Sequence, residues 1–337
     1  MKLCGVIPAL VVFAACIDSG TGVLAPKKCV DVPASSDVRT WTVDRDNNQP
    51  VLTAVWGASG TNAFAVGRGG AILHYDGTAW RAESSGTDID LYDVWGTAAN
   101  NVFAVGGKSG FNTGAYYGVI LHYDGTAWSN QLMPSAVLDA VWGSSPTDVY
   151  VVGSRGTTLL LHYDGATWAE PAGALSPQVL RIWGLSPSDI YAVGSQDTIW
   201  HYDGNRWTGQ KVAWPGTPGL NFSSLSSAWG SAATNIFAVG TRSVCSLQPC
   251  EHAVVARYCG GGSWTGEELR EVGFNAVWGS SANDIYVVGD SGMILRRDGT
   301  GWVRQPRVTT QALSDVWGTP DGVLFAVGGG VILRGTR

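Results

Sequence analysis

One column of side chains has the types needed for acid–base or metal chemistry. His74, His122, His162 and His201 occupy the same place in a recurring motif, and Arg257, Arg296 and Arg334 take that place further along the chain. Imidazole titrates near neutrality and ligates metals. A second column is acidic: Asp76, Asp124, Asp164, Asp203 and Asp298, each followed by glycine. A third alternates between Asn62, Asn101, Asp148, Asp189, Asn235 and Asp284. None of the three reads as a catalytic set. The histidines fall one to a repeat, so they cannot converge on a metal whose ligands stand at roughly 2 Å. A hydrogen bond that recurs with the fold is the expected role. Asp-Gly is a hairpin signal, with the carboxylate capping its own turn. Asn and Asp interchange in the third column, and an amide cannot serve as a catalytic acid.

Other motifs fall short for stated reasons. Asp44-Arg45-Asp46-Asn47-Asn48 alternates like a calcium loop, but Gln49 stands where the sharp-turn glycine belongs and Val55 where the bidentate Glu belongs. Gly107-Lys108-Ser109 mimics the end of a phosphate loop without its first glycine, since Val102 holds that place. GxSxG, HExxH and CxxC do not occur. The glutamates Glu83, Glu170, Glu251, Glu267, Glu268 and Glu271 show no pairing of the kind a glycosidase needs. No catalytic residue, metal ligand or cofactor site is assigned.

These columns belong to a repeat. Trp56, Trp95, Trp142, Trp183, Trp229, Trp278 and Trp317 are each followed by glycine. An aromatic comes eight residues later (Phe64, Phe103, Tyr150, Tyr191, Phe237, Tyr286, Phe325), and another glycine eleven residues later (Gly67, Gly106, Gly153, Gly194, Gly240, Gly289, Gly328). A repeat of this length, in which short β-rich runs alternate with turn residues, predicts a propeller rather than a helical solenoid. The expected fold is all-β: a seven-bladed β-propeller over residues 37–337, with four antiparallel strands a to d per blade. The last repeat lacks its outer strand. Val38-Arg39-Thr40-Trp41-Thr42 looks like an orphan outer strand, so the N-terminal strand is expected to complete the last blade and to remove two open sheet edges. Seven more tryptophans, Trp41, Trp80, Trp128, Trp168, Trp207, Trp264 and Trp302, mark the outer strands, and inter-blade packing accounts for them.

Charged residues make up 14% of the chain, the net charge is −6 and no basic run occurs, which argues against nucleic acid. Residues 1–16, MKLCGVIPALVVFAAC, read as a signal peptide too short to span a membrane. Phe13-Ala14-Ala15-Cys16 resembles a bacterial lipobox, which implies lipidation of Cys16, a tether over residues 17–36 and a lipid anchor in the membrane. The expected location is the outer membrane or cell surface as a lipoprotein, otherwise periplasmic or secreted. Export favours disulfides. Cys245 and Cys250 share one insertion and are the preferred pair. Cys259 lies at the other end of a strand, roughly 17–20 Å away, and Cys29 could reach it.

Insertions fall only in the b–c and d–a connections, which share one face of a four-stranded meander: 108–117, 242–252 and 211–222. Aromatics outside the repeat gather there: Phe111, Tyr116, Tyr117, Trp214 and Phe222, with Tyr92 and Phe274 near the start of strand a. Variable loops on a rigid scaffold are where binding resides, so Phe111, Tyr116, Tyr117, Trp214 and Phe222 are the candidate ligand-binding residues.

The chain resembles secreted bacterial propellers with VWG…AVG…HYDGxxW repeats. Tyr75-Asp76-Gly77-Thr78-Ala79-Trp80 is similar to the Asp-box of sialidase-type propellers, one residue shorter, and the Trp-Gly strand resembles tectonin-type lectin propellers. The resemblance implies a fold more than an activity. The leading expectation is a monomeric binding module for a glycan or a protein. The alternatives are a propeller glycoside hydrolase or lyase, and a chaperone-like assembly factor such as the Asp-box-related propellers that help build photosystem II.

Overall fold

Each repeat folds as a meander of short strands, because its apolar runs are too short and too β-branched for helix and are punctuated by Gly, Asp and Asn. The structure is a computed structural model of the chain. It describes residues 39–45, 50–110, 114–173, 175–176, 178–214, 223–243, 251–269, 271–299 and 301–336.

The first strand, β1 (Thr40–Arg45), stands apart from its neighbours in sequence. One antiparallel sheet then follows in order, β2 (Leu52–Ser59), β3 (Asn62–Gly67), β4 (Ile72–Tyr75) and β5 (Trp80–Glu83). The next holds β6 (Leu91–Ala98), β7 (Asn101–Ser109), β8 (Tyr116–Tyr123) and β9 (Trp128–Leu132). A third holds β10 (Val137–Ser145), β11 (Asp148–Ser154), β12 (Thr158–Tyr163) and β13 (Trp168–Ala169). Two meanders share an eight-stranded sheet. They are β14 (Val179–Ser186), β15 (Asp189–Gly194), β16 (Thr198–Tyr202) and β17 (Trp207–Ala213), and then β18 (Ser223–Ala232), β19 (Asn235–Ser243), β20 (Glu251–Tyr258) and β21 (Trp264–Leu269). After them come β22 (Phe274–Ser281), β23 (Asp284–Gly289), β24 (Met293–Arg297) and β25 (Trp302–Arg304). The last sheet runs β1, β28 (Val331–Thr336), β27 (Leu324–Gly328), β26 (Asp315–Gly318). The described residues therefore make five four-stranded sheets and one of eight strands. The eight arise because the outer strands β17 and β21 pair in parallel, Val212 with Trp264 and Ala213 with Thr265.

The inner strands form a closed circuit: β2 lies beside β6, then β10, β14, β18, β22 and β26, and β26 returns to β2. The Trp-Gly pairs explain how these strands pack. Each indole covers the glycine of the next inner strand: Trp56 on Gly96, Trp95 on Gly143, Trp142 on Gly184, Trp183 on Gly230, Trp229 on Gly279, Trp278 on Gly318 and Trp317 on Gly57. A Cβ added at Gly143 would stand 2.7 Å from Trp95 Cη2, well inside van der Waals contact. Tryptophan and glycine are thus two halves of one joint between neighbouring repeats.

The histidine column is structural, as its spacing predicts. His74, His122, His162 and His201 lie on Phe64, Phe103, Tyr150 and Tyr191, with centroids 4.2–4.6 Å apart. His122 meets Asn101, His162 meets Asp148 and His201 meets Asp189, each at 2.7 Å, which fastens the third strand to the turn between the first two. His74 instead meets Glu83, at 2.9 Å. Arg296 keeps the same role as a cation and donates Nε to Asp284 Oδ1 at 2.9 Å.

The N-terminal strand completes the last sheet: β1 pairs antiparallel with β28, Trp41 opposite Gly335. Arg39, just ahead of β1, locks this seam. Its fully buried side chain donates to Asp284 Oδ2 at 2.8 Å, to the Tyr286 hydroxyl at 2.5 Å, and to the Gly322 carbonyl. Against the opposing effect of burial, hydrogen bonds from Ser280, then Arg39 and Tyr286, hold Asp284 below the usual carboxylate range.

Candidate functional site

The inner strands carry the site. In the first six of them the ladder slips by one residue three positions before the tryptophan, between Leu52 and Ala54, Leu91 and Asp93, Leu138 and Ala140, Val179 and Arg181, Leu225 and Ser227, and Phe274 and Ala276. Such bulges re-aim a side chain out of the ladder. The extra residues are Thr53, Tyr92, Asp139, Leu180, Ser226 and Asn275, and Ser314 holds the equivalent place before β26. All of them line one cavity of about 460 Å³ at the centre of the ring, with Val137 and Arg181.

Several of these groups also hold the ring together. Thr53 Oγ1 donates to the Leu91 carbonyl at 2.7 Å and Ser226 Oγ to Phe274 O at 2.8 Å, each on the next inner strand, and Asn275 Nδ2 donates to Leu313 O, just ahead of β26, at 2.9 Å. One residue further along, Asp93 accepts from Val141 N and Asp315 from Val55 N, both at 2.9 Å. Asp315 is pushed up to about 7 by burial and by the nearby charge of Asp93. Burial raises Asp93 as well. By surface area both residues are only partly covered. Arg181 donates to the Asp139 backbone carbonyl at 2.6 Å. Burial pushes the Asp139 carboxyl up to about 6, with Arg181 opposing.

Two further concavities flank the cavity. One, of about 950 Å³, lies between the β2–β5 and β6–β9 sheets and is lined by Gly69, Glu83, residues 84–89, Lys108, Tyr117 and Met133. The other, of about 250 Å³, is lined by Glu271, residues 290–294, Arg304 and Arg307. Both are built from b–c and d–a connections, the face on which the axial cavity opens. The opposite face consists of tight hairpins. There Asp76 and Asp124 accept the Thr78 and Thr126 hydroxyls and the backbone N–H groups of their own turns.

The sequence-derived candidates fall in different places. Tyr117 is 49% exposed and Met133 beside it 61%, and both border the larger groove. Tyr116 is half-buried on the same strand. Trp214 does not stand free. It lies against Gly266 of β21, donates Nε1 to Asp197 Oδ1 at 2.9 Å and carries the Arg242 guanidinium 5.2 Å from its ring centre. It braces the parallel junction of β17 and β21. Phe274 is 1% exposed and belongs to the core, because the bulge after it turns Asn275, not Phe274, to the axis. Phe111 and Phe222 lie outside the described residues, as do Cys16, Cys245 and Cys250. Cys259 is disulfide-bonded, to a cysteine outside the described residues. No group of three or more His, Cys, Asp or Glu that could hold a metal occurs among the described residues.

Sequence reasoning missed Asp139, Arg181 and most of the axial set. Aligning the repeats on the tryptophan would have gathered the axial set three positions upstream, with Arg181 one position after it.

No family model and no curated protein matches the chain. Solved structures do. It is similar to a structure described as YCF48 bound to D1 peptide, at 16% identity and a TM-score of 0.64, over 91% of this chain and 99% of that one. YCF48 from Cyanidioschyzon merolae matches at 15% identity and a TM-score of 0.63, over 87% of this chain and 98% of the other. The WD40 repeats of RRP9 match at 9% identity and a TM-score of 0.65, over 90% and 98%. The fold is a β-propeller. At these identities the likeness extends to architecture and no further. A ring of meanders sealed by its own first strand gives a rigid platform, and the three concavities described among these residues lie on one side of it.

Proposed function

We propose that this β-propeller is a seven-bladed, non-enzymatic scaffold that holds a segment of a partner protein across the face bearing the axial cavity and the Tyr117 groove. The closed circuit of inner strands and the Trp-on-Gly joints support the blade number, with the eight-stranded sheet counted as two blades fused at their outer strands. One observation carries the binding reading: three concavities open on the same face, two of them flanking the axis, while the other face is closed by hairpins. A groove of about 950 Å³ edged by an exposed tyrosine and methionine suits an extended chain. The neighbour described as bound to D1 peptide supports a peptide as occupant of such a fold.

The test is a peptide-display selection on the full chain, repeated on Tyr117→Ala, Ser226→Trp and, on the hairpin face, Thr126→Trp. Peptides should lose binding to the first two and keep it to the third. Loss confined to Thr126→Trp would place binding on the wrong face. Retention on glycan arrays, with no peptide recovered, would shift the occupant to a sugar. The reading of residues 1–16 as an export signal, with lipid on Cys16, is supported by their apolar run and small residues. Labelled palmitate should enter the wild type in a bacterial host and not Cys16→Ser.

A further inference from the structure

The axial cavity is richer in acceptors than in donors. Three of the donors that line it are already used by the ring: the hydroxyl hydrogens of Thr53 and Ser226 go to Leu91 O and Phe274 O, and Asn275 Nδ2 donates to Leu313 O. What remains on these side chains is oxygen lone pairs. Around the axis stand three carboxylates, Asp93, Asp139 and Asp315, against one guanidinium, Arg181. Asp93 and Asp315 accept backbone N–H groups, from Val141 and Val55 on neighbouring strands and from Val94 and Val316 next in sequence. Asp139 differs from both. Its Oδ2 is buried, and no donor among the described residues reaches it. Arg181 hydrogen-bonds the Asp139 main chain, not its carboxylate. A desolvated carboxylate without a donor is costly, and a cation brought to it relieves that cost.

We infer that the axial cavity takes a lysine or arginine side chain from the bound protein segment, with Asp139 as its counter-ion. This rests on the reading that the cavity face holds a protein segment, and it names which side chain enters. Leu180 and Tyr92, on the same lining, cover the methylene stem, and the acceptors of Thr53, Ser226 and Asn275 receive the N–H groups. A space of about 460 Å³ holds such a side chain with its stem. A carboxylate or phosphate ligand would find one cation, Arg181, but would also meet Asp139 in the lining, with Asp93 and Asp315 near by.

The charged and titratable groups around Asp139 are Tyr92 and Arg181 in the lining, Asp93 and Asp315 on the inner strands, and Asp90 and Arg68 beyond Tyr92. A bound cation favours the ionised acids, so binding takes up a cation and releases protons. Affinity should therefore be full above about pH 7 and fall as the acids protonate, through about 7 for Asp315 and about 6 for Asp139.

The probes are n-butylguanidinium and n-butylammonium, with neutral n-butylurea and anionic butyrate as controls, titrated calorimetrically into the full chain at pH 8 and pH 5. The cations should bind at least tenfold more tightly at pH 8 than at pH 5, and more tightly than butylurea or butyrate at pH 8. Asp139→Asn should lose tenfold or more at pH 8. Its melting temperature at pH 5, where the wild-type carboxyl is largely protonated, should match the wild type and report an intact fold. Equal binding of butylurea, preference for butyrate, or an unaltered Asp139→Asn would overturn the inference. Selected peptides separate it from the scaffold reading. If Ser226→Trp blocks them but replacing their Lys and Arg by Gln does not, the scaffold stands and the cation site falls. If Ser226→Trp and Tyr117→Ala both leave them bound, both readings fall.

Discussion

The two faces of the ring treat their carboxylates differently. On the hairpin face several acids have structural tasks. Asp148 joins Ser144 to His162, Asp284 gathers Arg39, Arg296, Ser280 and Tyr286, and Asp124 caps its own turn. On the other face Asp139 has an oxygen that no donor among the described residues reaches, and Tyr117 and Met133 stand in solvent. The first face maintains the fold, and the second has side chains available for something else. A platform built on repeats can separate these duties because its turns are short on one side only.

Four substitutions would break or sharpen that contrast. The largest effect is expected from Arg39→Met, which leaves Asp284 buried with one partner fewer. Breaking a buried pair in this way costs about 3–5 kcal/mol, read as a drop in the urea midpoint with release of β1 seen by hydrogen exchange. Gly143→Ala forces Cβ against Trp95, and about 1–3 kcal/mol should be lost by the same measurement. Asp124→Asn is a smaller change with a pH signature. The Thr126 hydroxyl, then the turn's N–H groups, hold Asp124 down to about 2. Its contribution is present above the ordinary carboxylate value of 3.8 and fades as pH falls toward 2. Unfolding midpoints from pH 5 to pH 2 should therefore fall less steeply in the variant. Smallest for stability is Tyr117→Ala, which should stay within about 0.5 kcal/mol of wild type while weakening the selected peptides. A large stability loss there would mean that this face, too, is structural.

The fold was legible because its joints are spaced rigidly. A tryptophan and the glycine beneath its neighbour must recur together, so the Trp-Gly interval exposes the ring, and the orphan strand around Trp41 exposes its closure. The axial cavity was hidden for the opposite reason. Its positions are Thr53, Tyr92, Asp139, Leu180, Ser226, Asn275 and Ser314. They share a place but no chemistry, since bulged residues answer to the axial space and not to the ladder. Trp214 misled in its turn. It sits in an insertion, yet Gly266 in an outer strand leaves room for its ring, and that cue lies 52 residues away. Arg39 escaped notice because its partners, Asp284, Tyr286 and Gly322, are more than 240 positions distant.

The pairing of β1 with β28 also sets a schedule. β1 must wait for β28, which is made after every other described strand of the ring, with Trp41 opposite Gly335. Until then both outer partners carry unpaired backbone, and such long-range pairing is the slow part of β-sheet assembly. Nascent chains halted short of residue 331 would thus keep a sticky edge that the finished molecule never shows.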